Sequence, residues 1–215
     1  MGHRLLIIGA GELGQQIFHY ALIEGKYTPI GYVDDTIDAG TNINGLTVIG
    51  GIDDIPHIYN RDGFDAMIIG IGYKHLKIRD KLYKKFSSFI PFATIIASPT
   101  YIDESSKIGD GCILYPGCII DKNVVINNNS ILNLGCIVAH DSTIGRSSFC
   151  APRVTIAGFS SVGNRCMIGA GSTIRDNVSV CDDTVVGMMS GVVKSINTSG
   201  VYYGIPARRN ENINK

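Results

Sequence analysis

From residue 102 to residue 192, an apolar residue recurs at every sixth position, and no insertion breaks the register. Fifteen of these sixteen positions hold Ile, Leu or Val, and the remaining one is Cys150. The residue two places before each of them, from Ser106 onward, is small or β-branched. A helix repeats every 3.6 residues and a strand every two, so neither element explains a period of six.

A period of six is typical of very short strands joined by tight corners, each turning one aliphatic side chain toward a common axis. The pattern therefore predicts a parallel β-helix. Four of the six cysteines occupy the small position and Cys150 occupies the axial one. We interpret most of the cysteines as small buried apolar residues. The chain has no CxxC pair, so its cysteines do not indicate a zinc or thioredoxin-like site.

Residues 1–97 follow a different pattern, in which buried strands such as "RLLIIGAG" and "DAMIIGIG" alternate with helical stretches such as "ELGQQIFHYALIEG". Strands that alternate with helices predict a small parallel α/β sheet, here a Rossmann-like domain. We expect a boundary near residue 97, with the β-helix and a C-terminal tail in residues 98–215.

The segment "GAGELG" has the G-x-G-x-x-G form, follows a strand and opens a helix, where backbone amides suit a phosphate. The second strand ends in two carboxylates that suit a ribose or a base edge, and "IGIG" adds glycines at a third strand end. A second explanation is a turn needed only for tight packing. The sheet is too short for a full dinucleotide fold, which favours a mononucleotide or nucleotide sugar over NAD. The candidate binding residues are Gly9, Gly11, Glu12, Leu13, Asp34, Asp35 and Gly72.

Composition narrows the function classes. The chain has 19 basic and 19 acidic residues and no long basic run, so its charge does not indicate nucleic-acid binding. Its apolar runs are too short to span a bilayer. The N-terminus leads directly into a strand and lacks the layout of a signal peptide. We expect a cytoplasmic protein with no membrane span.

The order of the two domains, together with "GAGELG", "GYVDD", "IGIG", "NLGCIVAHDSTIG", "AGFSSVGNRCMIGAGS" and "GIPAR", resembles the hexapeptide-repeat nucleotide-sugar N-acetyltransferases of bacterial glycan synthesis. That family includes sialic acid O-acetyltransferases. The resemblance implies a left-handed β-helix with three hexads to a coil, so that residues 18 apart stack. It also implies a homotrimer, with acetyl-CoA between neighbouring β-helices and the nucleotide sugar on the N-terminal domain.

The adjacent residues His140 and Asp141 suit the chemistry of acyl transfer to an amine. Imidazole ordinarily titrates near ~6.5 and can take the proton that an attacking amine loses, while a neighbouring carboxylate orients the ring. Gly158 lies one coil further; it leaves room for an acyl thioester and offers a backbone N–H to the tetrahedral intermediate. No covalent acyl-enzyme is needed, and we expect no metal.

The resemblance implies the same roles, with His140 as the base and Asp141 as its partner, and it places Asn133 near the acceptor. It also implies that acetyl-CoA lies along Gly158, Ala170, Gly171, Ile205 and Pro206. Two positions depart from the family pattern. Phe149 stands where many members have a second histidine, and "GELGQ" replaces a glycine loop that carries His and Lys.

The sequence favours N-acetylation of a nucleotide-linked 4-amino-4,6-dideoxy sugar. O-acetylation of a sialic acid is the alternative within the same chemistry. An NAD-binding oxidoreductase or regulatory subunit would need a second dinucleotide half, which is not evident. A purely structural β-helix predicts no acetyl-CoA binding and no effect of changing His140.

Overall fold

The computed structural model describes residues 2–211. The chain forms two compact units that divide between Ile95 and Ile96. Each unit has its own hydrophobic core.

The N-terminal unit is a five-stranded sheet in the order β3-β4-β2-β1-β5, parallel except for the β3–β4 hairpin. Its strands are β1 (His3–Ile8), β2 (Tyr27–Val33), β3 (Asn42–Ile43), β4 (Leu46–Gly50) and β5 (Ala66–Ile69). Its helices are α1 (Glu12–Glu24), α2 (Ile55–Asp62) and α3 (Leu76–Phe86), and short 3₁₀ turns at Ile52–Asp54 and Tyr73–His75 precede the last two. The predicted alternation of strands and helices is confirmed.

The sheet order places β1 between β2 and β5. The strands β2 to β4 therefore extend the sheet on one side of β1, and β5 is added on its opposite side. The carboxyl ends of β1 and β5 adjoin, since the Gly70 N–H donates to the Ile8 carbonyl at 2.7 Å. Ligands of open α/β sheets bind at such a switch point. The helix that follows β1 begins after Gly11 and ends at Gly25, whose φ of 68° is left-handed.

The C-terminal unit is a parallel β-helix, consistent with the predicted left-handed one, built mainly from two-residue strands that pair with strands 18 residues away. The first face contains β7 (Tyr101–Ile102), β10 (Ile119–Ile120), β13 (Ile137–Val138), β16 (Thr155–Ile156), β19 (Thr173–Ile174) and β22 (Gly191–Val192). The second face contains β8 (Lys107–Ile108), β11 (Val125–Ile126), β14 (Thr143–Ile144), β17 (Ser161–Val162) and β20 (Ser179–Val180). The third face contains β6 (Ile95–Ile96), β9 (Ile113–Leu114), β12 (Ile131–Leu132), β15 (Phe149–Cys150), β18 (Met167–Ile168), β21 (Val185–Val186), β23 (Val201–Tyr203) and the antiparallel β24 (Arg208–Arg209).

The axial residues of the hexads form one continuous buried core, as the period of six predicts. Five of the six cysteines are buried and Cys181 is half-buried, and all six are free thiols. Burial raises the pKa of Cys150 to about 12 and is also the main cause that raises the pKa of Cys166 to about 12. Such thiols stay protonated at neutral pH and are poor nucleophiles.

Two edges of the β-helix contain candidate site residues. The first edge follows the first face and consists of residues 103–106, 121–124, 139–142, 157–160 and 175–178. The second edge follows the third face and consists of residues 115–118, 133–136, 151–154, 169–172 and 187–190. Within one coil, the first face separates the two edges.

Candidate active site

The pair His140 and Asp141 lies on the first edge, where the chain turns from β13 into β14. Asp141 has a φ of 58°, in the left-handed region that aspartate tolerates better than most residues. This turn brings its Oδ2 to 3.0 Å from Nδ1 of the adjacent imidazole. The His140 side chain is 40% exposed and the Asp141 side chain 30%, so the pair is accessible from solvent.

The surroundings of Asp141 keep its carboxyl ionised. The hydrogen bond with His140, followed by that from Asn123 Nδ2 at 3.0 Å, holds the pKa of Asp141 below its usual range. An ionised partner favours a proton on Nδ1 and stabilises the imidazolium form. Nε2 is then the ring nitrogen that can accept a proton from a substrate.

Gly158 packs directly against the imidazole from the next coil. A Cβ at this position would lie 2.8 Å from both Cε1 and Nε2 of His140. The expectation that glycine leaves room for a thioester therefore needs correction, because the imidazole itself takes up that space. Gly158 is buried, and its N–H has no hydrogen-bond partner within residues 2–211. This amide remains a suitable donor for an oxyanion.

Phe159 follows Gly158 and meets the imidazole edge-on, with ring centroids 5.0 Å apart and an interplanar angle of 85°. Its side chain is exposed although it is large and apolar. Its φ of 58° is unusual for an aromatic residue, although positive φ values recur at the corners of this β-helix. The same position on neighbouring coils holds the polar residues Asn123, Asp141 and Asn177.

The glycines of the N-terminal unit fall into two groups. Gly9 has a φ of 95°, and a Cβ on Gly14 would collide with the Gly9 carbonyl oxygen, so the fold itself requires both. A Cβ on Gly11 or on Gly72 would meet nothing within 4 Å, and neither residue has a left-handed φ. Gly11 and Gly72 precede the helical turns that follow β1 and β5, so glycine leaves the helical N–H groups open to a ligand.

The two carboxylates after β2 have partners within the unit. Asp34 Oδ2 accepts the Ala10 N–H at 2.8 Å, and its Oδ1 accepts the Thr36 N–H at 2.8 Å. Burial alone would raise the pKa of Asp34, but these hydrogen bonds hold it below its usual value. Asp35 Oδ1 accepts the Ile52 N–H at 2.8 Å. These carboxylates thus fix the loops around the glycine turn.

The first turn of α1 contains the other two predicted substrate residues. Glu12 is exposed and Leu13 is half-buried. Both therefore lie beside Gly11 at the open end of the helix.

Two of the five predicted acetyl-CoA residues lie on the second edge, whereas His140 lies on the first. These two are Ala170 and Gly171, and Ile205 is 78% exposed and lies 3.4 Å from where a Cβ on Gly191 would be. Pro206 follows in the exposed turn after β23. Asn133, also on the second edge, accepts the Leu134 N–H at 2.7 Å. Gly158 alone of the cofactor candidates lies on the first edge.

Two features of the site were missed by sequence reasoning, the contact of Asn123 with Asp141 and that of Phe159 with His140. Asn123 lies 18 residues before Asp141 and Phe159 lies 18 residues after it. Stacking at that spacing would have identified both residues.

Comparisons with known proteins agree with this architecture. Residues 4–86 match the PglD N-terminal domain family. The chain also superposes with a TM-score of 0.90 on a histidine-to-asparagine mutant of perosamine N-acetyltransferase from Caulobacter crescentus, solved in complex with CoA and GDP-perosamine. The two share 25% identity, and the match covers 99% of this chain and 98% of the other. Over nearly its whole length the chain is thus similar to a perosamine N-acetyltransferase, and its N-terminal unit matches the PglD N-terminal domain family.

Two other similar proteins have lower identity or match only part of the chain. The acetyltransferase domain of PglB from Neisseria gonorrhoeae, solved with acetyl coenzyme A, shares the fold with a TM-score of 0.89 at 22% identity, over 98% of this chain and 100% of that domain. UDP-3-O-acylglucosamine N-acyltransferase from Bordetella avium (strain 197N) is 33% identical over 69 residues, which are 32% of this chain and 19% of that protein. The match thus spans about a fifth of this curated relative.

Two further properties of residues 2–211 bear on the site. None of their helices has the length and apolar character of a membrane-crossing segment. The same residues contain no group of three or more His, Cys, Asp or Glu side chains arranged to hold a metal ion.

Proposed function

We propose that this protein is an acetyl-CoA-dependent N-acetyltransferase acting on a nucleotide-linked 4-amino-4,6-dideoxy sugar, in the synthesis of a bacterial lipopolysaccharide or capsule. The observation that carries the proposal is the His140–Asp141 pair, whose Nδ1–Oδ2 contact of 3.0 Å leaves Nε2 available beside Gly158. The match to a protein solved with CoA and GDP-perosamine supports the substrate class.

In the reaction, the neutral sugar amine attacks the thioester carbonyl, so that a C–N bond forms and the carbonyl electron pair moves to oxygen. His140 Nε2 takes the proton that the amine loses, and Asp141 stabilises the resulting imidazolium. The Gly158 N–H suits the oxyanion. When the intermediate collapses, the C–S bond breaks and the imidazolium returns its proton to the departing thiolate. The products are an acetamido sugar and CoA.

In this proposal the N-terminal unit binds the nucleotide. Gly11 and Gly72 follow the adjoining ends of β1 and β5. The fold has room for a side chain at both positions, so the presence of glycine there supports a bound ligand. Helical N–H groups attract phosphates without a basic side chain. Such a site tolerates the absence of the His and Lys found in the glycine loop of many family members.

We also propose a homotrimer, and two observations support association of copies through the first face. Its outward side chains Tyr101, Ile119 and Ile137 are 58%, 46% and 39% exposed. An exposed apolar ladder of this kind is typical of an interaction surface. In addition, the proposed base lies on the first edge and the predicted acetyl-CoA residues Ala170 and Gly171 lie on the second, so the two edges flank this face, and neighbouring copies would bring opposite edges together. Light scattering coupled to size exclusion would measure three times the 23.1 kDa chain mass.

Both acetyl-CoA and nucleotide sugars are cytoplasmic metabolites, so the proposed reaction takes place in the cytoplasm. Fractionation of cells that produce the protein would test this location. Recovery in the periplasmic fraction would contradict it.

The experiment that tests the function is thiol release from acetyl-CoA with a panel of UDP-, dTDP- and GDP-4-amino-4,6-dideoxy sugars and sialic acid. We expect turnover with one nucleotide-linked amino sugar, and a decrease of at least ~100-fold in the His140→Ala variant. The matched control is His57→Ala, since this exposed histidine of α2 lies outside the site. Turnover that is equal in both variants would refute the base assignment, and turnover with sialic acid alone would refute N-acetylation.

A further inference from the structure

Asn123 lies one coil before Asp141 on the first edge and connects to the catalytic pair through one side-chain hydrogen bond. Its Nδ2 donates to Asp141 Oδ1 at 3.0 Å, while Oδ2 of the same carboxylate contacts the imidazole Nδ1 at 3.0 Å. Each oxygen of Asp141 therefore has its own partner. The three side chains form a continuous series from amide to carboxylate to imidazole.

The backbone places Asn123 for this contact. Its φ of 57° matches the 58° of Asp141, so both side chains leave the edge in the same direction and stack. The Asn123 N–H donates to Ser105 Oγ at 2.9 Å, and this hydroxyl donates to Asp103 Oδ1 at 2.6 Å. The backbone of Asn123 is thus anchored from the preceding coil, next to the side-chain amide that contacts Asp141.

We propose that Asn123 is a positioning residue that fixes the rotation of the Asp141 carboxylate and, through it, the orientation of the His140 ring. The inference rests on the proposed function, for which His140 is the base. A half-exposed carboxylate that accepts a single hydrogen bond can rotate about its Cβ–Cγ bond. A donor on its second oxygen removes that freedom. Because the Asn123 amide is neutral, it does so without cancelling the negative charge that stabilises imidazolium.

The charged groups around the imidazole are few. Asp141 contacts Nδ1, and Asp121 Oδ2 accepts the His140 backbone N–H at 3.2 Å. Lys122, on the same coil as Asn123, lowers the pKa of Asp141 by a weaker charge interaction. From the following coil, the packed residues are the uncharged Gly158 and Phe159. A change of charge at residue 123 therefore acts on a small, defined set of groups.

The chain contains a matched control. Asn177 lies three coils further along the same edge, with a φ of 56° and an exposed side chain. Its Nδ2 donates to Asp176 at 3.0 Å and does not contact the catalytic pair. Glycine replaces asparagine at either position without backbone strain, because glycine adopts a positive φ readily. Aspartate keeps the shape of the side chain and adds a charge.

The test compares Asn123→Gly and Asn123→Asp with Asn177→Gly and Asn177→Asp in the full-length protein. We expect Asn123→Gly to lower kcat roughly 10-fold, because orientation of the base affects the chemical step. The KM values for both substrates should stay within about 2-fold of those of the wild-type protein. Asn123→Asp moves the acid limb of the kcat–pH profile upward by roughly 0.5 pH units, since a second carboxylate favours imidazolium. Neither effect is expected at residue 177.

A second readout does not depend on activity. The NMR titration midpoint of the His140 ring proton, assigned by its disappearance in His140→Gln, should also move upward in Asn123→Asp and stay in place in Asn177→Asp. If neither kcat nor this midpoint differs between the residue-123 and residue-177 variants, the positioning role is refuted. If the midpoint moves while the wild-type protein transfers no acetyl group, the coupling stands and the proposed function fails.

Discussion

Replacing Gly158 with alanine tests the central contact of the site, the packing of the imidazole against the next coil. The new Cβ would lie 2.8 Å from Cε1 and Nε2 of His140 and 3.3 Å from Nδ1. Ordinary carbon contacts begin near ~3.5 Å, so the ring must move by roughly 0.7 Å. The atom that gives way is the half-exposed end of a side chain, not backbone. The fold should therefore tolerate the change.

The expected loss is large for the reaction and small for stability. A displacement approaching 1 Å in a catalytic group costs about 100-fold in rate, which corresponds to ~2.7 kcal/mol of activation free energy. Because Gly158 does not have a left-handed φ, alanine also reduces the freedom of the unfolded chain, which contributes about 0.4–1 kcal/mol of stability. We expect kcat to fall about 100-fold while the melting temperature stays equal or rises.

The assay is steady-state thiol release, with thermal unfolding of each variant measured in parallel. A double-mutant cycle separates the clash from other effects, since Gly158→Ala should change little once His140→Ala has removed the ring. A folded Gly158→Ala protein whose kcat stays within ~3-fold of wild type would refute the reasoning. A second 100-fold loss in the His140→Ala background would instead show that the added methyl group acts independently of the ring.

Three further predictions concern other parts of the site. Phe159→Asn should raise the melting temperature by roughly 2–4 °C, because asparagine tolerates the left-handed φ better than phenylalanine does. The kcat of this variant should fall. A lower melting temperature would contradict the claim that the backbone of Phe159 is strained. Gly11→Val should raise KM for the nucleotide sugar at least ~10-fold at unchanged melting temperature, since the valine side chain enters open space. Gly14→Val should prevent folding, because its side chain would collide with the Gly9 carbonyl. An unchanged KM in Gly11→Val would exclude a ligand at Gly11. Asp34→Asn should destabilise the protein at pH 7. Because the pKa of Asp34 is lower in the folded than in the unfolded protein, ionised Asp34 stabilises the fold fully above the unfolded-state pKa of ~3.9. This stabilisation is lost as the pH falls through the folded-state pKa. Unfolding at pH 7 and at pH 3 should show a difference between wild type and variant that shrinks at low pH, and a difference independent of pH would contradict the assignment.

Much of the fold could be predicted from the sequence because it depends on local patterns. The axial residues from Ile102 to Val192 identified the β-helix, and the alternation of strands and helices identified the sheet. The helix between Gly11 and Gly25 begins and ends where its glycines indicate. The left-handed φ of Phe159 could not be predicted, since its side chain disfavours the conformation that the corner imposes.

The sequence alone determined that a hexad solenoid follows a glycine-rich α/β unit and that a histidine–carboxylate pair stands within the solenoid. It did so because hydrophobic period and neighbouring residue types are properties of short segments. The tertiary structure decided which residues meet across coils, because the period of six does not itself specify three strands per coil. The three-dimensional stacking brings Asn123 to Asp141 and Phe159 to the imidazole, contacts that the hexad pattern does not specify.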